Sequence, residues 1–89
     1  VKVQQCEATD VLTRDGETAV LIDGVALRLS ELSSVIYALT EDPVDVDRLA
    51  LELEARFGAP EGQSSRRATD DVVASLVRHG VLRPVGGAP

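Results

Sequence analysis

The chain has 89 residues, enough for one small domain that buries only about 60–65% of its unfolded surface, so its core must be thin. Nine Lys and Arg against fifteen Asp and Glu leave a net charge of −6, which argues against general nucleic-acid binding, because phosphate affinity rests on clustered cations. A hydrophobic content of 44% argues against disorder, no apolar run approaches the roughly 20 residues of a membrane span, and one Cys with one His leaves little material for a metal site or catalytic triad.

Val1 and Val3 alternate with Lys2 and Gln4, a period of two that fits a short strand or extended arm. Val11 to Arg14 reads as a strand ending at Asp15-Gly16, and Thr18 to Asp23 as a β-rich run. Asp23-Gly24 is a strong tight-turn signal, since a type I′ hairpin needs positive φ at both central positions. Residues 25–29 alternate again, with Val25, Leu27 and Leu29 on one face and Ala26 and Arg28 on the other, which completes a meander of three or four antiparallel strands.

From Ser30 the period changes. Ser30 caps a helix with Leu32, Val35, Ile36 and Leu39 on one stripe, closed by Glu41-Asp42-Pro43. A second helix is predicted from Val44 or Asp45, carrying Val46, Leu49, Ala50, Leu53 and Phe57 on one face and stopping at Gly58. After a loop over residues 59–63, a third helix begins between Ser64 and Thr69 and runs to His79, with Thr69, Val72, Val73, Leu76 and Val77 inward; Gly80 ends it and Val81-Leu82 pack back. The expected organisation is a single domain over residues 1–85 with a frayed tail at 86–89. The expected core is Leu27, Leu29, Leu32, Val35, Ile36, Leu39, Leu49, Leu53, Phe57, Val72, Val73 and Leu76. Opening on Val1 is read as the loss of an initiator Met or of a longer N-terminus.

Charge is unevenly spread. Residues 41–63 carry seven acids and two bases, net −5, whereas residues 64–89 carry two acids and four bases, net +2. Asp70-Asp71 reads as a solvated pair in the first turns of the third helix, since no other cluster with metal or catalytic spacing accompanies it. His79 stands where an imidazole can meet the last helix carbonyls, and has no obvious partner as a catalytic base. Cys6 behaves as a small hydrophobe, and the serine pairs 33–34 and 64–65 lack a Gly-x-Ser-x-Gly elbow. Arg66-Arg67 is more informative: two cations at a helix N-terminus oppose the macrodipole, so they are either a solvated pair or a docking point for an acidic partner.

Strands followed by three helices, the last two joined by a turn, is the layout of a small winged helix-turn-helix-like α+β domain. The segment TAVLIDGVALRLSELSSVIYAL resembles the strand–turn–strand–helix core of PqqD-like proteins, and VDVDRLALELEARFGAPEGQSSRRATDDVVASLVRHGVL resembles their helical half. The likeness spans about residues 11–82, with the hydrophobic pattern, Asp71-Val72 and Gly80 in register. Where the family pattern has Asn after the strand, this chain has Ser30, which can still cap the helix.

The family includes the RiPP recognition elements, which bind the leader segment of a ribosomally made precursor peptide and present it to modifying enzymes. The resemblance implies a leader added as an antiparallel strand along Val25, Ala26, Leu27, Arg28 and Leu29, the third strand of the family core, and packed against a third helix containing Asp71, Val72, Ser75 and Arg78. Arg66 and Arg67 would add attraction for an acidic leader. The chain is then expected to be a cytoplasmic, non-catalytic protein without metal or cofactor, whose partners are the leader and a modifying enzyme or leader protease; among natural-product classes, lasso-peptide biosynthesis suits a free-standing protein of this size. The rival from another class is a winged-helix DNA-binding regulator, supported by Arg66, Arg67 and Arg78 but opposed by the acidic total and by a hairpin tip that carries Asp23 rather than cations. A scaffold subunit of a larger synthase, using the same edge for a fixed interface, is a third reading.

Overall fold

The computed structural model describes residues 2–86. Val1, and residues 87–89 of the tail expected to fray, lie outside the described residues. In chain order the elements are β1 (Lys2–Gln5), β2 (Asp10–Arg14), β3 (Glu17–Ile22), β4 (Val25–Leu29), α1 (Glu31–Leu39), β5 (Val44–Asp45), α2 (Val46–Phe57), α3 (Ser65–Arg78) and β6 (Leu82–Val85). The architecture is α+β, with two three-stranded antiparallel sheets in the orders β2-β3-β4 and β5-β1-β6 alongside three helices, and it is compatible with a small winged helix-turn-helix-like layout.

The β2-β3-β4 sheet is the expected meander. Its two hairpins turn on Asp15-Gly16 and Asp23-Gly24, and both residues of each pair have positive φ: 52° and 80° in the first, 50° and 78° in the second. That conformation twists the two-residue loop in the sense of the flanking strands and sets the register, with Arg14 opposite Glu17 and Ile22 opposite Val25. The second sheet is assembled from distant segments: β1 takes the two-residue β5 on one side and β6 on the other. Pairing with β1 orders Leu82–Val85, so the chain after α3 folds back as a strand.

Each helix starts on a side-chain cap. The Ser30 hydroxyl accepts from the Ser33 N–H at the head of α1, and the Ser64 hydroxyl accepts from the Arg67 N–H at the head of α3. At the head of α2 the Asp45 carboxylate accepts from the Asp47 N–H, which holds its pKa below the ordinary carboxylate value. Carbonyls at and just beyond the C-terminus of α1 are taken up by β1: the Gln5 N–H donates to the Thr40 carbonyl at 2.8 Å, Gln5 Nε2 to the Tyr37 carbonyl at 2.6 Å, and Gln4 Nε2 to the Glu41 carbonyl at 2.9 Å.

Val3, Val20, Leu29, Ile36, Tyr37, Val46, Leu49, Leu53, Val73, Leu76, Val81 and Leu82 form the buried cluster, with Leu27, Leu32, Val35, Leu39 and Val72 half-buried against it. Phe57 departs from the expected core, being 45% exposed. It continues the apolar stripe of α2, but it occupies the final residue before Gly58, where the chain turns away into residues 59–64, and it lines a surface hollow with Leu53 and Pro60 instead of being covered. Val25 is also exposed, because it sits at the tip of the β3–β4 hairpin.

One serine joins helix to sheet. Thr18 and Leu29 face each other at the last rung of the β3–β4 ladder. There the Thr18 N–H donates to Ser34 Oγ at 3.0 Å, and Ser34 Oγ in turn approaches the Leu29 carbonyl at 3.4 Å, all in a buried setting. Removing the Ser34 hydroxyl strands a buried donor. Ser34→Ala is therefore expected to destabilise the domain by about 1–3 kcal/mol, read as a lower denaturant midpoint at unchanged slope. Leu53→Ala, which empties a buried position on α2, should cost about 2–5 kcal/mol in the same measurement; an unchanged midpoint would show that Leu53 is not buried in the core.

Candidate functional site

Two three-stranded sheets have four edges, and an unpaired edge is a template for another strand unless something blunts it. In the β5-β1-β6 sheet one edge is only two residues long and the other carries Pro84, which has no N–H to offer. In the other sheet, β2 exposes its whole length, but the Val11 N–H is taken by the Asp10 carboxylate at 2.9 Å. The remaining edge is β4.

Register decides which β4 groups are available. The hairpin closes at the pair Ile22 and Val25, so Val25, Leu27 and Leu29 direct their backbone groups toward β3, and Ala26 and Arg28, in the alternate positions, direct theirs outward. Both residues are exposed. The side chains alternate the other way: Leu27 and Leu29 point to the helix side, Leu29 into the core, while Arg28 lies on the opposite face with its guanidinium 3.5 Å from the Glu17 carboxylate.

Beside this edge runs a groove of about 280 Å³, lined by Leu27, Arg28 and Leu29 of β4, Ser30 and Ser33 at the start of α1, Ser75 and Leu76 of α3 with its C-cap residue His79, and Val81. The helix side of the groove follows from spacing: Ser75 and His79 are one turn apart and share a face of α3. His79 is fixed there by a 2.8 Å hydrogen bond between Nδ1 and the Ser75 carbonyl. A more apolar hollow lies further along α3, where Leu32 of α1, Leu53 and Phe57 of α2, Pro60, and Ala68 of α3 meet. It offers apolar surface but no backbone edge, so the β4 groove is the better candidate for binding a peptide.

Of the residues singled out from sequence, Leu27, Arg28, Leu29 and Ser75 come together at the groove, with Val25 and Ala26 continuing the free edge. Val72 is half-buried against the core, and Asp71 and Arg78 are exposed on α3 outside the groove lining. Arg66 and Arg67 are not brought to β4. Arg66 lies nine residues before Ser75, about 13 Å along the helix axis, and is held by carboxylates: Nη1 on Asp47 of α2 and Nε on Asp70 at 3.0 Å, which push its guanidinium pKa further up. Arg67 stands 4.0 Å from Asp71. The cations at the head of α3 are thus offset by acids from their own helix and from α2.

Sequence reasoning passed over Ser30, Ser33, Leu76, His79 and Val81 as groove residues. The i, i+4 relation of Ser75 and His79 is the signal that points to His79; the sequence around Ser30 signals only a cap, and nothing local ties Val81 to β4. Among the described residues no group of three or more His, Cys, Asp or Glu is arranged to hold a metal ion, and no helix is long and apolar enough to cross a membrane. Comparison with protein-family models, curated proteins and solved structures returns no match.

The open edge makes a direct prediction for amide hydrogen exchange. The Leu27 and Leu29 N–H groups, directed at β3, should be protected, while those of Ala26 and Arg28 should exchange with solvent at rates close to those of a loop. Equal protection of all four amides would mean that β4 is covered in solution.

Proposed function

We propose that this domain is a non-catalytic recognition protein that binds the leader segment of a ribosomally synthesised precursor peptide by strand addition to β4 and presents it to a modifying enzyme or leader protease. The observation that carries the reading is the unblunted β4 edge, with the backbone groups of Ala26 and Arg28 turned outward beside a groove walled by α3. Strand addition draws affinity from main-chain hydrogen bonds and selectivity from alternate side chains reaching pockets, and both parts of that arrangement are present here. The resemblance to PqqD-like proteins names the same strand and helix. It also supplies the biological setting, natural-product biosynthesis in the cytoplasm, with lasso-peptide biosynthesis the class proposed. Chemistry then belongs to the partner enzyme.

A winged-helix DNA-binding role draws less support. It needs α3 to offer cations to phosphate, and Arg66 and Arg67 are already engaged with Asp47, Asp70 and Asp71 in a chain of net charge −6.

The test pairs genomic context with calorimetry. Leader segments of short precursor genes adjacent to this gene, made as synthetic peptides, should bind the wild-type domain. Ala26→Pro deletes one outward N–H and fixes φ, and should weaken binding by about tenfold or more while circular dichroism and melting stay close to wild type. Unchanged affinity in the folded variant, or retardation of promoter DNA that persists with competitor DNA, would overturn the proposal.

A further inference from the structure

The geometry points to His79 as the residue that selects the bound strand, favouring a carboxylate side chain opposite Leu27 in a proton-linked way; this inference rests on strand addition at β4. Cross-strand neighbours in an antiparallel pair point to the same face, so the side chain opposite Leu27 enters the groove where His79 and Leu76 form the wall. A carbonyl oxygen can only accept, so in the 2.8 Å contact with the Ser75 carbonyl it is Nδ1 that carries the hydrogen. The proton that comes and goes is therefore on Nε2. Neutral His79 offers an acceptor to the groove, and protonated His79 offers a donor with a positive charge.

Among the described residues the groove is lined by no Asp or Glu: β4 contributes Arg28, whose guanidinium turns toward Glu17, α1 and its cap contribute Ser33 and Ser30, and α3 contributes Ser75. Next in sequence to lining residues stand Glu31 on α1 and Arg78 on α3, both exposed, and Cys6 reaches Val81 through its backbone N–H. A peptide Asp or Glu at this position would be the carboxylate facing Nε2. By linkage, whatever makes protonated His79 bind that peptide better also makes the bound complex hold the proton more tightly.

The test uses a displayed library of random dodecapeptides, panned on the full chain at about pH 5.5 and about pH 8, on either side of the ordinary histidine range. Wild type should enrich Asp or Glu at one strand position at the lower pH, with synthetic peptides from that pool binding about two- to fivefold tighter there than at the higher pH. His79→Gln should lose both the enrichment and the pH dependence. His79→Lys, a permanent cation over this range, should keep the acidic preference at both pH values, which a merely structural role for the imidazole would not produce. Acidic enrichment that is identical in wild type and His79→Gln, or absent from wild type, overturns the inference. Failure of strand addition itself reads out separately: captured peptides would leave the Ala26 and Arg28 amides unprotected from exchange, and a library without binders counts against both.

Discussion

The hydroxyl of Ser34 occupies the place where the β3–β4 ladder would otherwise end in an unsatisfied buried rung. By accepting from the Thr18 N–H and approaching the Leu29 carbonyl, it makes the first turn of α1 a continuation of the sheet rather than a body resting on it. The Ser30 cap lies one residue beyond Leu29, and Ile36 carries the same helix into the core, so the direction of α1 is set by the end of β4. The groove inherits that geometry: its strand side is β4, its end is Ser30 and Ser33, and its far wall is the α3 face that packs behind them. A buried polar contact of this kind contributes modestly when made and costs more when broken, and for that reason it orients as much as it stabilises.

Charge is arranged with a comparable economy. The acidic segment over residues 41–63 faces the basic head of α3 through Asp47 and Arg66, joining the N-termini of α2 and α3 across 19 residues of sequence. Both helix starts benefit, since Asp47 is a favourable anion in the first turn of α2 and also offsets a cation that opposes the dipole of α3. These exposed pairs add little stability individually. Their larger consequence is that Arg66 and Arg67 present less uncompensated charge, which moves attention from the head of α3 to its C-terminal half.

Local rules made much of this fold legible. Two Asp-Gly turns, the Ser30 cap, the stop at Gly58 and the apolar stripes of the helices each depend on a few neighbouring residues, and the structure has them where the sequence places them. The second sheet was less legible, because a two-residue strand and a segment after the last helix become strands only by pairing with β1, up to 83 positions away between Lys2 and Val85. Phe57 misled for a related reason: helical periodicity gives the side of a helix a residue faces, not whether a neighbour extends far enough to cover it. At the candidate site the strand was readable as an alternating run, whereas its freedom as an edge and its proximity to His79 required the tertiary arrangement.

The magnitude of strand addition explains why an edge alone would make a poor recognition device. Ala26 and Arg28 turn four backbone groups outward. At a net of about 0.5–1.5 kcal/mol each, their hydrogen bonds supply only a few kcal/mol, while association costs at least about 4 kcal/mol in lost freedom of motion. Backbone pairing by itself therefore leaves binding at millimolar strength or weaker, where about −4 kcal/mol corresponds to 1 mM. Micromolar binding lies near about −8 kcal/mol, so from a backbone surplus of at most about 2 kcal/mol it needs roughly another 6 kcal/mol or more, which two or more large apolar side chains contribute when buried against Leu27 and Leu76. The open edge would accept almost any extended chain weakly, and the groove beside it would determine which chain stays.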